Sequence, residues 1–302
     1  MKSKTSGHYP LIRFSDGQKW LFNPILKKRF ANRPEERVRL QYVEYLLRET
    51  AITKNRIGFE ALVKAYSRDN SLRADLVIFD EKISPMALIE CKSGRIKLDG
   101  KTAEQAARYN LTLQADYLMI TNGLQDFWYK RHGQSVASIN SHPFDHNTAP
   151  PRSSVYWKDR GFIDDSLSSN VKEVSSGFLD AVFGGHDDVT VTYLNLPSDI
   201  TPISINHFYR IEQVEKNQIA FSLVAAPGQT LFAAMLNRDG QNQGVIWIPL
   251  EDIIENDNST LHRLKPEGES DIEFPPEIRE LFRAPSETHL KKLAKQLINL
   301  FD

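Results

Sequence analysis

The chain almost lacks cysteine: Cys91 stands alone among 302 residues. An internal disulfide is excluded, and a reducing compartment such as the cytoplasm is expected. Long apolar runs are missing too, since none approaches the roughly 18 residues that a membrane helix needs. The opening MKSKTSGHYP has basic residues but no apolar stretch, so no secretory signal is expected. There are no internal repeats and no low-complexity tracts. No G-x-S-x-G is present, which removes the usual signature of a serine hydrolase.

What remains is the composition of a globular protein, 40% hydrophobic and 25% charged, long enough for one large or two moderate domains. The formal net charge of -1 hides an asymmetry. Residues 1–134 hold 24 Lys and Arg against 15 Asp and Glu, whereas residues 135–302 hold 14 against 24. A basic half suits a polyanion such as DNA, and an acidic half does not. The turn-rich SHPFDHNTAPPRSS separates them. The expected organisation is a first domain over 1–134, a linker over 135–162, and a second domain of unassigned role over 163–302, through which subunits could associate.

Pattern gives the elements. Asn32 to Glu49 reads as a helix, with Pro34 suited to its first turn and Asn32 as a cap. Ile57 to Tyr66, Leu72 to Asp80 and Met86 to Ser93 read as strands, the last two joined as an antiparallel hairpin. A helix over Thr102 to Gln114, a strand over Asp116 to Thr121, an Asn-Gly turn and a strand over Asp126 to Lys130 follow. Beyond the linker come a helix, several alternating strands between Val189 and Leu250, and a C-terminal amphipathic helix carrying Leu290, Leu293, Leu297 and Leu300. The fold class is α/β: a mixed sheet flanked by helices, then a mainly antiparallel β domain with a C-terminal helix.

One strand, MALIECKSG (Met86 to Gly94), is odd. Glu90 and Lys92 lie two residues apart on the face of Leu88. Charge among apolar neighbours is costly unless paired or bound to an ion. The hairpin brings Asp75, at the start of the preceding strand, toward them. Two carboxylates form a hard oxygen site for Mg2+ (or Mn2+), with the Cys91 carbonyl as a further ligand. A metal there polarises a phosphodiester and acidifies a bound water. Lys92 holds that water or offsets charge growing on the phosphate. The plainer alternative is an exposed Glu90–Lys92 pair on an edge strand.

The pattern ADLVIFD…ALIECKSG resembles the D…ExK core of the PD-(D/E)xK nuclease superfamily. The wider run PEERVRLQYVEYLL…RADLVIFD…MALIECKS…AEQAARYN…DYLMITNG is similar to the N-terminal nuclease domain of type I restriction enzyme R subunits. That resemblance implies a restriction-endonuclease-like fold and a DNA endonuclease, with restriction-modification subunits as partners. It gives Glu36 the place of a leading-helix glutamate, Asp75, Glu90 and Lys92 those of D and ExK, and Gln105 and Tyr109 those of QxxxY. Glu60 corresponds to an acidic position near the metal. Ala74 stands where the family has proline. The R subunits continue into a helicase motor, so the likeness concerns their nuclease domain only.

Several readings stay open. Thr102 to Gln105 also fits a capping box, and Tyr109 also fits a core position. GRIKLDGKT approaches a phosphate-binding loop, but five residues rather than four separate Gly94 from Gly100. Lys97 and Lys101 are instead expected to face DNA phosphates, as are Arg33 and Arg37 within the basic stretch that also holds Lys27, Lys28, Arg29 and Arg39. His186, Asp187 and Asp188 suggest a solvated turn, and His142 and His146 a loop without function. The rival to a nuclease is a non-catalytic DNA-binding or assembly module of a restriction-modification system that keeps the fold.

Overall fold

The computed structural model describes residues 1–59, 74–99, 104, 107, 110–111, 113–133, 135–144, 146–184, 189–195 and 205–302. The chain divides into two compact units, Met1–Pro150 and Pro151–Asp302.

The first unit opens with an antiparallel sheet of β1 (Leu11–Ser15), β2 (Gln18–Asn23) and β3 (Lys28–Phe30). Its register lines up Ile12, Leu21 and Phe30. This row packs into a core shared with Val38, Tyr42 and Leu46 of helix α1 (Pro34–Glu49). Pro34 sits in the first turn, where its missing N–H loses nothing. Asn32 is not the cap. Arg33 takes that position without a side-chain cap bond, and Asn32 Oδ1 accepts from Arg37 at 2.9 Å instead.

A six-stranded sheet follows: β4 (Ile57–Phe59), β5 (Leu76–Phe79), β6 (Pro85–Cys91), β7 (Tyr117–Thr121), β8 (Asp126–His132) and β9 (Ser135–Ile139), in that spatial order. Neighbours are antiparallel except β6 and β7, which are parallel. Parallel pairing demands a crossover, and the helical residues Glu104, Ala107, Asn110, Leu111 and Leu113 lie within it. The β5–β6 hairpin closes on Asp80, whose Oδ1 accepts the N–H groups of Lys82 and Ser84 at 2.9 and 2.7 Å. Alternation splits β6 between two cores. Ala87, Ile89 and Cys91 meet the α1 side chains, while Leu88 joins Val77, Leu113, Ala115, Leu118 and Ile120 on the other face. Burial on both faces explains why β5 reads as an unbroken apolar run.

The segment 135–162, expected as a linker, holds structure. Ser135–Ile139 extends the sheet through a turn at Gly133 (φ 62), and Ser153 caps helix α2 (Ser154–Asp159). Its polar, turn-rich composition marks a hairpin corner and a helix start as readily as a tether. His142 is no idle loop residue either. Its ring meets Trp128, Phe144 and Tyr45 edge-on at 5.0 to 5.3 Å, and its nitrogens lie 3.2 Å from the Tyr42 hydroxyl and 3.4 Å from that of Tyr45.

In the second unit, helix α3 (Ser169–Phe183) is capped by Ser168. A seven-stranded antiparallel meander follows, each strand pairing with its chain neighbours: β10 (Thr190–Asn195), β11 (Asn206–Val214), β12 (Asn217–Ala226), β13 (Gln229–Arg238), β14 (Gln241–Pro249), β15 (Thr260–Lys265) and β16 (Gly268–Glu273). Helix α4 (Leu250–Glu255) joins β14 to β15, and α5 (Pro276–Arg283) and α6 (Glu287–Asn299) complete the unit. Leu290, Leu293 and Leu297 of α6 are buried, as their spacing predicts. Among the described residues, no helix is long and apolar enough to cross a membrane.

Two outcomes test this packing. Gly123 has φ 80, and a Cβ there would stand 3.0 Å from Val38 Cγ2, whereas Gly133 (φ 62) faces open space. Both glycines relieve left-handed backbone, worth about 1–2 kcal/mol each. Gly123→Ala should therefore destabilise the protein more than Gly133→Ala in denaturant melts, and equal losses would show that the α1 contact is slack. Burial, then the nearby His146 charge, holds the His142 pKa down to about 3. Its ring resonances should stay those of neutral imidazole from pH 8 to pH 5, and a midpoint within that range would contradict the packing.

Candidate active site

Strand register builds the site. Leu76 pairs with Ile89 across β5 and β6, and one step further places Asp75 opposite Glu90. Both side chains take the face of Val77 and Leu88. They are 8% and 4% exposed, so these are buried carboxylates and not an exposed edge pair.

Each carboxylate has its own cation. Lys92 Nζ lies 2.6 Å from Glu90 Oε1 and 3.9 Å from Glu35 Oε1 of α1. Arg39, also from α1, donates through Nη2 to Asp75 Oδ1, while its Nη1 reaches Glu36 Oε2 at 3.1 Å. Asp75 Oδ2 accepts the Cys91 N–H at 2.6 Å. Glu90 Oε2 is buried and has no hydrogen-bond partner among the described residues.

Electrostatics follow from that placement. Burial first, then the Asp75 charge, pushes the Glu90 pKa up to about 7, against the pull of Lys92. Burial also raises Asp75 above the usual carboxylate range, although Arg39 and the Cys91 N–H oppose it. For Lys92, burial favours the neutral amine, but the bond to Glu90 and the charges of Glu90, Asp75 and Glu35 outweigh it and raise the pKa. Lys92 is thus a fixed ammonium beside two crowded carboxylates. An orphaned carboxylate oxygen next to a like charge is a donor set that a hard dication would satisfy. No cluster of three or more His, Cys, Asp or Glu side chains suited to a metal occurs among the described residues.

The fold brings Glu36, Asp75, Glu90 and Lys92 to one place. Cys91 adds its N–H, and its thiol is buried, its pKa raised chiefly by that burial. Glu60, Lys101, Gln105 and Tyr109 lie outside the described residues. Arg33 and Lys97 are exposed. Arg37 is held by the carbonyl and side chain of Asn32. Arg39 is the residue that sequence reasoning misplaced. The sequence pattern groups it with DNA-facing cations, yet its side chain is 11% exposed and bridges Glu36 and Asp75. Its one available signal was the i, i+3 spacing from Glu36 on a helix. Glu35, near Lys92, was not singled out at all. Of the loop that approaches a phosphate-binding motif, Gly94 to Asp99 are described, and the Ile96 carbonyl is tied down by Asn122 Nδ2 at 2.9 Å.

No curated protein matches the chain, and no solved structure does. Residues 34–143, the segment that carries Glu36, Arg39, Asp75, Glu90 and Lys92, match the model of the family described as type I restriction enzyme R protein N terminus.

Proposed function

We propose that the first unit is a magnesium-dependent DNA endonuclease of a restriction-modification system, working in the cytoplasm with other restriction subunits. One observation carries the reading. Asp75 and Glu90 face each other on neighbouring strands in a buried setting, with the Lys92 ammonium 2.6 Å from one Glu90 oxygen and the other Glu90 oxygen without a partner among the described residues. Two buried like charges oppose folding, and apolar residues in their place would be more stable. Their presence calls for a ligand that turns repulsion into attraction.

Asp75 and Glu90 would hold Mg2+ (or Mn2+), with the Cys91 carbonyl and Glu60 as the further expected donors. Bound there, the ion supplies Lewis acidity toward a phosphodiester oxygen and lowers the pKa of water. The chain's own groups do the rest. Cys91 N–H fixes the Asp75 carboxylate against rotation, leaving lone pairs on the same oxygens for a ligand. Lys92, kept protonated by its carboxylate neighbours, orients the attacking water and offsets charge that grows on the phosphorane oxygens. Arg39 acts through Asp75 as a positioning residue, with Glu36 setting the angle of its guanidinium fork. Gln105 and Tyr109 are proposed to brace the site or a nearby phosphate. Arg33, Arg37, Lys97 and Lys101 are proposed along the path of the DNA backbone.

Plasmid nicking in Mg2+ tests the activity. Lys92→Ala should slow cleavage by roughly 10²-fold or more and leave DNA affinity within about twofold, as a single phosphate contact allows. Undiminished cleavage would remove Lys92 from the mechanism, and DNA binding with no nicking by the wild type would favour the non-catalytic module. A second test needs no substrate. Mg2+ should raise the melting temperature by mass action. Glu90→Gln should abolish that rise while making the metal-free protein no less stable, since it removes one of two repelling charges. A variant that still gains stability from Mg2+ would place the ion elsewhere.

A further inference from the structure

Residues 11–30 precede the segment that matches the restriction family, and the carboxylate site makes no use of them. They are strongly basic: Arg13, Lys19, Lys27, Lys28 and Arg29 against the single acid Asp16. The three-stranded sheet sorts their side chains by face. Ile12, Leu21 and Phe30 point to the core. The opposite face carries Arg13 across from Trp20, and Phe22 across from Arg29. Cations and rings interleave diagonally on it. The Arg13 guanidinium lies 5.1 Å from the Phe22 ring centroid, and that of Arg29 lies 6.0 Å from Trp20. Trp20 and Phe22 are partly exposed, and Arg29, Lys27 and Lys28 are exposed.

We infer that this outer face of β1–β3 binds single-stranded nucleic acid. Trp20 and Phe22 are alternate residues of one strand, so their Cα positions stand about 6.8 Å apart along it, two strand rises. That presents two platforms to successive unstacked bases. The arginines flank the platforms from the neighbouring strands, Arg13 beside Trp20 and Arg29 beside Phe22, within reach of the phosphates of a backbone running over the sheet, and Lys27 and Lys28 extend the positive rim at the β2–β3 turn. A duplex cannot use the rings, because its bases are already stacked, so the surface discriminates by strandedness and not by sequence. Arginine stacked on an aromatic ring is also held in a plane that a base or a phosphate can share. Charge complementarity selects a polyanion, and the interleaved rings select an unpaired one.

The test uses the full chain in EDTA, where metal-dependent cleavage is silent, so its outcome is independent of the nuclease reading. Fluorescein-labelled dT and U oligonucleotides of about 12 nucleotides, within the usual site sizes, are titrated by anisotropy. An unlabelled duplex of equal length serves as competitor. Binding should weaken roughly 5-fold or more in Trp20→Ala. Arg29→Ala, at an exposed position, should reduce the steepness of the log K against log salt line by about 0.7. Whichever of the dT and U strands binds more tightly names the natural polymer. The inference is overturned if neither strand binds, if the duplex displaces them equally well, or if Trp20→Ala and Arg29→Ala both bind as the wild type does while keeping its circular dichroism spectrum.

Discussion

Two carboxylates opposed across an antiparallel strand pair set the terms for the first unit. Asp75 and Glu90 are buried on one face of the sheet, and burial together with the Asp75 charge raises the Glu90 pKa. The chain answers with two cations from different directions. Lys92 comes from the end of the same strand as Glu90. Arg39 comes from α1 and reaches Asp75. Helix α1 is therefore fastened to the sheet by more than its apolar stripe. The guanidinium fork, gripped by Glu36 on the helix, adds a direction to a contact that packing alone leaves free to slide. A buried ion pair of this kind adds little net stability, so its value lies in the geometry that it enforces at Asp75.

What could be read in the sequence follows a physical line. Glu90 and Lys92 were legible because strand alternation is a local rule, and Asp75 because a short hairpin converts sequence distance into a fixed register. Arg39 was not, because which side of a helix docks on a sheet depends on contacts far away in sequence. From the pattern alone a buried arginine looks like one more member of a basic stretch. His142 escaped for the same reason. Its neighbours Tyr42, Tyr45 and Trp128 come from α1 and β8, and nothing local to HPFDH announces them.

The missed strands make the same point. The unassigned β1–β3 sheet has strands of three to six residues, crowded by Gly17, Pro24 and a lysine run. In β15 and β16 the apolar residues are only Leu261, Leu264 and Ile272, and Leu261 and Leu264 lie on opposite faces, so no period-two pattern shows. The rest of the meander was visible because each pairing is between chain neighbours and the corners declare themselves. Gly228, Asp239 and Gly240 all take positive φ there, the conformation that tight hairpins demand. Residues 135–162 hold a strand and a helix, which their polar, turn-rich composition does not announce, because a tether and a change of chain direction share that composition.

Helix α1 carries the remaining consequence. One flank supports β1–β3 through Val38 packed with Ile12 and Leu21, while its first turns send Glu36 and Arg39 to the carboxylate pair. The N-terminal sheet and the Asp75–Glu90 carboxylate face thus share one helix as support within the same unit. A polyanion bound on the sheet would meet a helix whose N-terminal turns are already committed to Asp75. Any tilt imposed there would pass to the Asp75 carboxylate through the Arg39 fork, since the guanidinium is planar and its two contacts fix its orientation. Arg39 at Asp75 and Glu35 near Lys92 both belong to the start of α1, so that end of the helix is the point at which nucleic acid on the sheet and chemistry at the strands would influence each other.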